Sequence, residues 1–185
     1  MYNLSMIVEV AGTPRSGKSA FIANLSIQLP QANVIFENFE QVPYKKPESF
    51  KFNYWYADYV VNLYEKLDTK SLNIVERGVN DRIAMGRALY KSRCFTEKQL
   101  NDYLDLLNPY INASDFLVIF NVAAEISLKN IVSKKIHFTR SKSFLNILKK
   151  ELFIINSSHK NSYMLEDPNN SKHFLMSVTK LFKKD

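Results

Sequence analysis

The stretch Met6-Ile7-Val8-Glu9-Val10-Ala11 runs directly into Gly12-Thr13-Pro14-Arg15-Ser16-Gly17-Lys18-Ser19. An apolar, β-branched run followed by G-x-x-x-x-G-K-S, and then by the helical spacing of Phe21, Ile22, Leu25 and Leu29, is the strand, loop and helix of a phosphate-binding P-loop. Each residue type has a physical task. Backbone N–H groups from Gly12 through Thr13, Arg15, Ser16 and Gly17 can wrap a phosphate chain because the two glycines leave room for its approach. Lys18 adds a point charge for the outer phosphates. Ser19 opens the next helix, where its hydroxyl can ligate Mg²⁺ while the helix N-terminus attracts the same anion. Pro14 removes one donor, and Arg15 and Ser16 stand where glycines are often found; none of these changes touches an essential position. ATP with Mg²⁺ is the expected ligand.

The whole chain of 185 residues is of a size for one domain with a complete core, and 46% apolar content places it among globular proteins. The expectation is a single domain spanning 1–185. Four glycines leave no flexible linker. No apolar run approaches the roughly 20 residues of a spanning helix, and the N-terminal run is short, carries Glu9 and lacks a basic lead. A cytoplasmic protein without a membrane partner is expected. Cys94 is the sole cysteine, which excludes an internal disulfide, and it reads as a small buried hydrophobe. His137, His159 and His173 lack ligand spacing and read as surface residues.

The net charge of +7 is uneven: residues 1–128 hold 13 Lys/Arg against 14 Asp/Glu, and residues 129–185 hold 12 against 4. A basic end can bind nucleic acid, but beside a P-loop it more simply supplies cations to a polyphosphate or forms a solvated face. Nucleic acid is therefore not the expected partner. A homodimer is compatible with the sequence.

Further strands read at 32–36, with Glu37 at the exit, at 71–76, ending in Glu76, and at 115–122, the most apolar of all. The aromatic segment 50–57 leads into a helix carrying Val60, Val61, Leu63, Tyr64 and Leu67, and Thr96 with Gln99 forms a capping-box pattern ahead of another helix. Beyond these come a helix from Glu125, a basic connector 133–142, a helix of about 143–158, an edge strand 163–165 and a last helix 171–183. Strands alternating with helices predict an α/β fold, a parallel sheet of about five strands with helices on both faces and a ligand crevice at the carboxyl ends. Lys18, Glu37 and Glu76 meet there by topology.

Three features together resemble the deoxynucleoside kinase family of P-loop kinases, from Met6 to about Val132: the P-loop, the acid Glu37 lying 37 − 18 = 19 residues after Lys18, and Glu76-Arg77-Gly78-Val79-Asn80-Asp81-Arg82, similar to that family's E-R-S-x-x-x-D-R. The resemblance implies that Glu37 takes the proton from a sugar hydroxyl, that Glu76 helps organise Mg²⁺ and the acceptor hydroxyl, and that Arg77 binds the phosphate region; Glu40, three residues after Glu37, is the rival base. It implies that Asp81 or Arg82 lines the base pocket. Asn53 would stand in for a base-reading glutamine, with Tyr54, Trp55 and Tyr56 either stacking on the base or packing in the core. The 133–142 connector takes the place of a lid, with Lys134, Lys135 and Arg140; Arg140 alone can form a bidentate fork on the transferring phosphoryl group. Gly78 in place of serine, one residue fewer before Asp81, and the missing tryptophan after the strand-two acid depart from the pattern and bear on substrate identity. ATP-dependent phosphorylation of a (deoxy)nucleoside is the leading expectation. A nucleoside monophosphate kinase or another small-metabolite kinase, with Arg82 and Arg87 as acceptor-phosphate candidates, shares every motif, and a nucleotide-gated protein that binds nucleic acid or a partner stands as the alternative of another class.

Overall fold

The computed structural model describes residues 6–129, 141–167 and 175–176. Strands β1 (Met6–Gly12), β2 (Asn33–Ile35), β3 (Leu72–Glu76), β4 (Phe116–Phe120) and β5 (Ser162–Leu165) form one sheet in the order β2-β3-β1-β4-β5. Every pairing is parallel, with Val8 opposite both Ile74 and Phe116 and Ile119 opposite Met164. β1 is thus central, and period-2 alternation sends its side chains to two separate cores. Val8 and Val10 pack with Phe21, Ile22, Leu25 and Leu29 of α1 (Lys18–Gln28) and its C-terminal flank. Ala11 joins the larger core built from α2 (Phe50–Tyr64), α3 (Val79–Lys91), α4 (Glu97–Leu107) and α6 (Lys142–Ser158). A short α5 (Ala124–Lys129) follows β4. This is the P-loop α/β architecture expected, with helices on both faces.

Local chemistry accounts for most boundaries. The capping box forms as read: the Thr96 hydroxyl accepts from the Gln99 N–H while the Gln99 side chain accepts from the Thr96 N–H. The aromatic segment is not a lead-in but the first turns of α2, because Ser49 caps the Phe52 N–H and starts the helix at Phe50. α3 and α4 approach closely at Gly86, where a Cβ would lie 2.5 Å from the Tyr103 ring. Cys94 and His159 are half-buried, the first neither core nor surface and the second bonded to Ser114. The connector 133–142 lies outside the described residues apart from 141–142, and so does the last helix apart from Leu175 and Met176, which are helical. No helix among the described residues is long and apolar enough to cross a membrane.

Candidate active site

The carboxyl ends of β1, β2 and β3 are adjacent in the sheet, and the segments leaving these strands meet in one cluster. After β1, Gly12 adopts φ 144° and lies so close to β4 that a Cβ would sit 2.4 Å from the Phe120 carbonyl oxygen. Gly17 has φ 99°, and a Cβ there would meet no described atom within 4 Å, leaving open space in which a phosphate can approach. The Thr13 N–H donates to the Phe120 carbonyl, and its hydroxyl lies 3.2 Å from that of Ser127 on α5, so the loop is pinned from β4 and α5. Arg15 holds the left-handed region at φ 56°.

Lys18 is buried and folds back over the loop, its ammonium donating to the carbonyls of Gly12 at 3.2 Å and Thr13 at 2.8 Å. Burial, aided by the positive charge of Arg77, pushes this ammonium down to about 7, against the pull of Asp81, Glu37 and Glu76. Ser19 Oγ donates to Glu76 Oε1 at 2.7 Å, and Glu76 Oε2 accepts the Glu37 N–H at 3.2 Å. One carboxylate at the end of β3 therefore ties the P-loop helix to the chain leaving β2. Arg77 takes a left-handed backbone at φ 56°, unusual for a non-glycine residue and marking a locally constrained corner, and its N–H donates to the Val10 carbonyl.

The charged groups of the segment after β3 interlock. Arg77 Nε lies 2.9 Å from Glu37 Oε2, and its Nη1 lies 3.1 Å from Asp81 Oδ2. Arg82 Nη2 lies 2.6 Å from Asp81 Oδ2 and 3.7 Å from Glu37 Oε1, with its guanidinium 4.7 Å above the Tyr56 ring. Asp81 Oδ1 accepts the Gly12 N–H at 2.9 Å, so this acid joins both arginines to the P-loop backbone. Burial alone would raise Asp81, but Arg77, Arg82 and Lys18 outweigh it and bring the carboxyl to about 2. For Glu37 burial prevails over the same arginines and raises the carboxyl above its ordinary value. Glu37 Oε1 is buried and has no hydrogen-bond partner.

Of the residues expected from sequence, Lys18, Ser19, Glu37, Glu76, Arg77, Asp81 and Arg82 thus come together. Glu40 is exposed in a short 3₁₀ turn, its N–H bonded to Asn38, and does not enter the cluster as placed. Asn53 is buried with both amide hydrogens engaged by the Pro47 and Ser49 carbonyls, where it closes the entry to α2. The Tyr54 ring packs on Phe50 at 5.2 Å, Trp55 stacks on Tyr59 at 5.8 Å, and Tyr56 is the aromatic that reaches the site. Arg140, Lys134 and Lys135 lie outside the described residues. Sequence reasoning missed Glu9 and Asn80, both buried and hydrogen-bonded to each other beneath Asp81. An acid at a position where strand alternation calls for an apolar side chain was the signal available.

No protein-family model matches the sequence, and comparison with curated protein sequences finds no match. Solved structures do resemble it. A deoxyadenosine kinase from M. mycoides with bound dATP superposes with a TM-score of 0.75 at 18% identity, covering 97% of this chain and 100% of that one. The same enzyme with dCMP and dCDP gives 0.73, and thymidylate kinase from Candida albicans gives 0.72 at 16% identity over 99% of this chain and 94% of that one. The chain has the fold of the P-loop nucleoside and nucleotide kinases.

Proposed function

We propose that the protein transfers the terminal phosphoryl group of ATP to a hydroxyl of a (deoxy)nucleoside. The observation that carries this reading is Glu37 Oε1, a buried carboxylate oxygen without a hydrogen-bond partner, in the cluster that links Arg77 and Asp81 to the P-loop. A free lone pair there can accept the hydroxyl proton as the new O–P bond forms and the bond to the leaving diphosphate breaks. Lys18 and the loop N–H groups hold the donor phosphates, and Arg77 balances charge on the transferring group. Arg140 remains the lid candidate.

Ser19 and Glu76 fit Mg²⁺: a hydroxyl and a carboxylate 2.7 Å apart at the P-loop helix are hard oxygen donors of the kind that ion takes alongside phosphate oxygens. Bound there, it would neutralise charge on the donor phosphates.

A nucleoside is favoured over its monophosphate by the charge balance. Lys18, Arg77 and Arg82 face Glu37, Glu76 and Asp81, and both arginines are already paired with carboxylates. A phosphate on the acceptor would add negative charge beside those three carboxylates, whereas a neutral hydroxyl would not. The deoxyadenosine kinase likeness points the same way, and the thymidylate kinase likeness keeps the monophosphate in the test. Turnover of a panel of nucleosides and nucleoside monophosphates with ATP and Mg²⁺ decides it. Nucleoside-dependent ADP formation is expected; ADP formation with monophosphates alone would overturn the acceptor class, and none with either would overturn the reaction.

A further inference from the structure

Glu9 lies three residues before Gly12 on the central strand, on the face that α2, α3 and α6 cover, and its side chain is fully buried. An ionisable group costs far more there than an apolar residue of similar volume. Both of its oxygens are engaged: Oε1 accepts the Asp81 N–H at 2.8 Å, and Oε2 accepts the Asn80 N–H at 3.1 Å, the Asn80 amide at 3.0 Å and the Tyr64 hydroxyl at 3.3 Å. Burial pushes the carboxyl up to about 7, with the Asp81 and Asn80 donors opposing that rise. Asn80 also donates to the Ser114 hydroxyl, which lies 3.3 Å from His159 Nε2, so the carboxylate is tied to the end of α6 as well.

The two backbone donors belong to the first turn of α3, where a helix has N–H groups without internal partners and a side chain at the N-cap normally accepts from them. The N-cap of α3 is Gly78, which has no side chain. Its φ of −73° and ψ of −153° are extended backbone open to any residue, so conformation does not explain the glycine. Space does. A Cβ at Gly78 would lie 2.2 Å from the Tyr64 hydroxyl and 2.9 Å from Glu9 Cδ.

We infer that Glu9 is a positioning residue of the phosphoryl-transfer site: from the adjacent strand it supplies the N-cap that Gly78 lacks, and so holds Asp81 against the Gly12 N–H and between Arg77 and Arg82. The inference rests on the proposed kinase reading for its catalytic consequence, while its structural part stands apart from turnover. The same segment carries all three charged groups, so a loosened first turn moves them together. Asp81 loses its backbone anchor and its register with the P-loop.

The test compares the parent with Glu9→Ala, Gly78→Ser and the pair, reading amide hydrogen exchange at Asn80 and Asp81 together with kcat/KM for the nucleoside. Glu9→Ala is expected to speed exchange and lower kcat/KM, each about tenfold, the size of one lost cap. Gly78→Ser alone is also expected to lower kcat/KM, because its side chain meets Glu9 and Tyr64. In the pair, the shortened residue 9 clears the space and the serine hydroxyl caps locally, which should restore both readouts to within about threefold of the parent, a residue of imperfect fit. Parental exchange in Glu9→Ala, or a pair no better than Glu9→Ala alone, overturns the inference. Should Glu9→Ala fail to fold, Glu9→Gln keeps the volume but sets an NH₂ against one of the donors; parental exchange and kcat/KM in that variant overturn it equally. A parent without turnover would sink the kinase reading while exchange still decides the cap.

Discussion

At Glu37, one carboxylate oxygen faces Arg77 at 2.9 Å and the other is buried without a hydrogen-bond partner, so the residue is both aimed and free to accept a proton. Glu37→Gln keeps size and polarity but cannot take that proton, and kcat should fall by about 10²–10⁴-fold while ATP affinity, set by the P-loop, changes little. Glu40→Gln, on the exposed turn, should turn over at the parental rate; the reverse result would move the base to Glu40. Lys18 gives a second prediction. Its ammonium is pushed down to about 7 by burial and by Arg77, so above that pH it is largely neutral in the free protein. Phosphates placed beside it favour the charged form, so binding ATP should take up a proton, approaching one per site near pH 8 and falling towards none near pH 5.5, and affinity should weaken as pH rises through 7 to 9. Calorimetry in two buffers of different ionisation enthalpy reads the uptake directly; none near pH 8 would contradict the burial account.

Among the elements, α3 carries most of the site, and its position depends on α4. Gly86 lets the two helices touch, with room for no Cβ against Tyr103, and the Tyr103 hydroxyl donates to the Arg82 carbonyl at 3.0 Å. Gly86→Ala should therefore destabilise the fold by about 1–3 kcal/mol, by overpacking that outweighs the helix propensity it adds, and chemical denaturation measures it. Much of this level was legible in the sequence. The P-loop is a contiguous motif whose spacing states its own geometry, and the acids closing β2 and β3 follow from topology, since parallel strands put their carboxyl ends at one edge. The start of α2 was less legible because its aromatics favour strands as readily as helices, and one hydroxyl, Ser49, settles the matter. The role of Glu9 was not legible at all: its backbone partners on α3 lie 71 and 72 residues away, and an isolated acid in an apolar run carries no sign of which helix it will cap.

On the scale of the whole molecule, the sheet separates two cores and leaves its carboxyl edge to the charged cluster, while the basic excess lies after residue 128. If that excess serves polyphosphate, oligonucleotide affinity at physiological salt should be no better than the non-specific range of about 10⁻⁴–10⁻⁶ M, as fluorescence anisotropy would show. Tighter binding would favour a nucleotide-gated nucleic-acid-binding protein instead. P-loop, acid and arginines are held here to act as one phosphoryl-transfer site, and that is tested most directly by incubating the purified protein with ATP, Mg²⁺ and a nucleoside and counting both products by mass spectrometry. One nucleoside monophosphate for each ATP consumed is expected, with formation abolished by Lys18→Ala. ATP consumption that is unchanged by any nucleoside and yields no phosphorylated acceptor would contradict it.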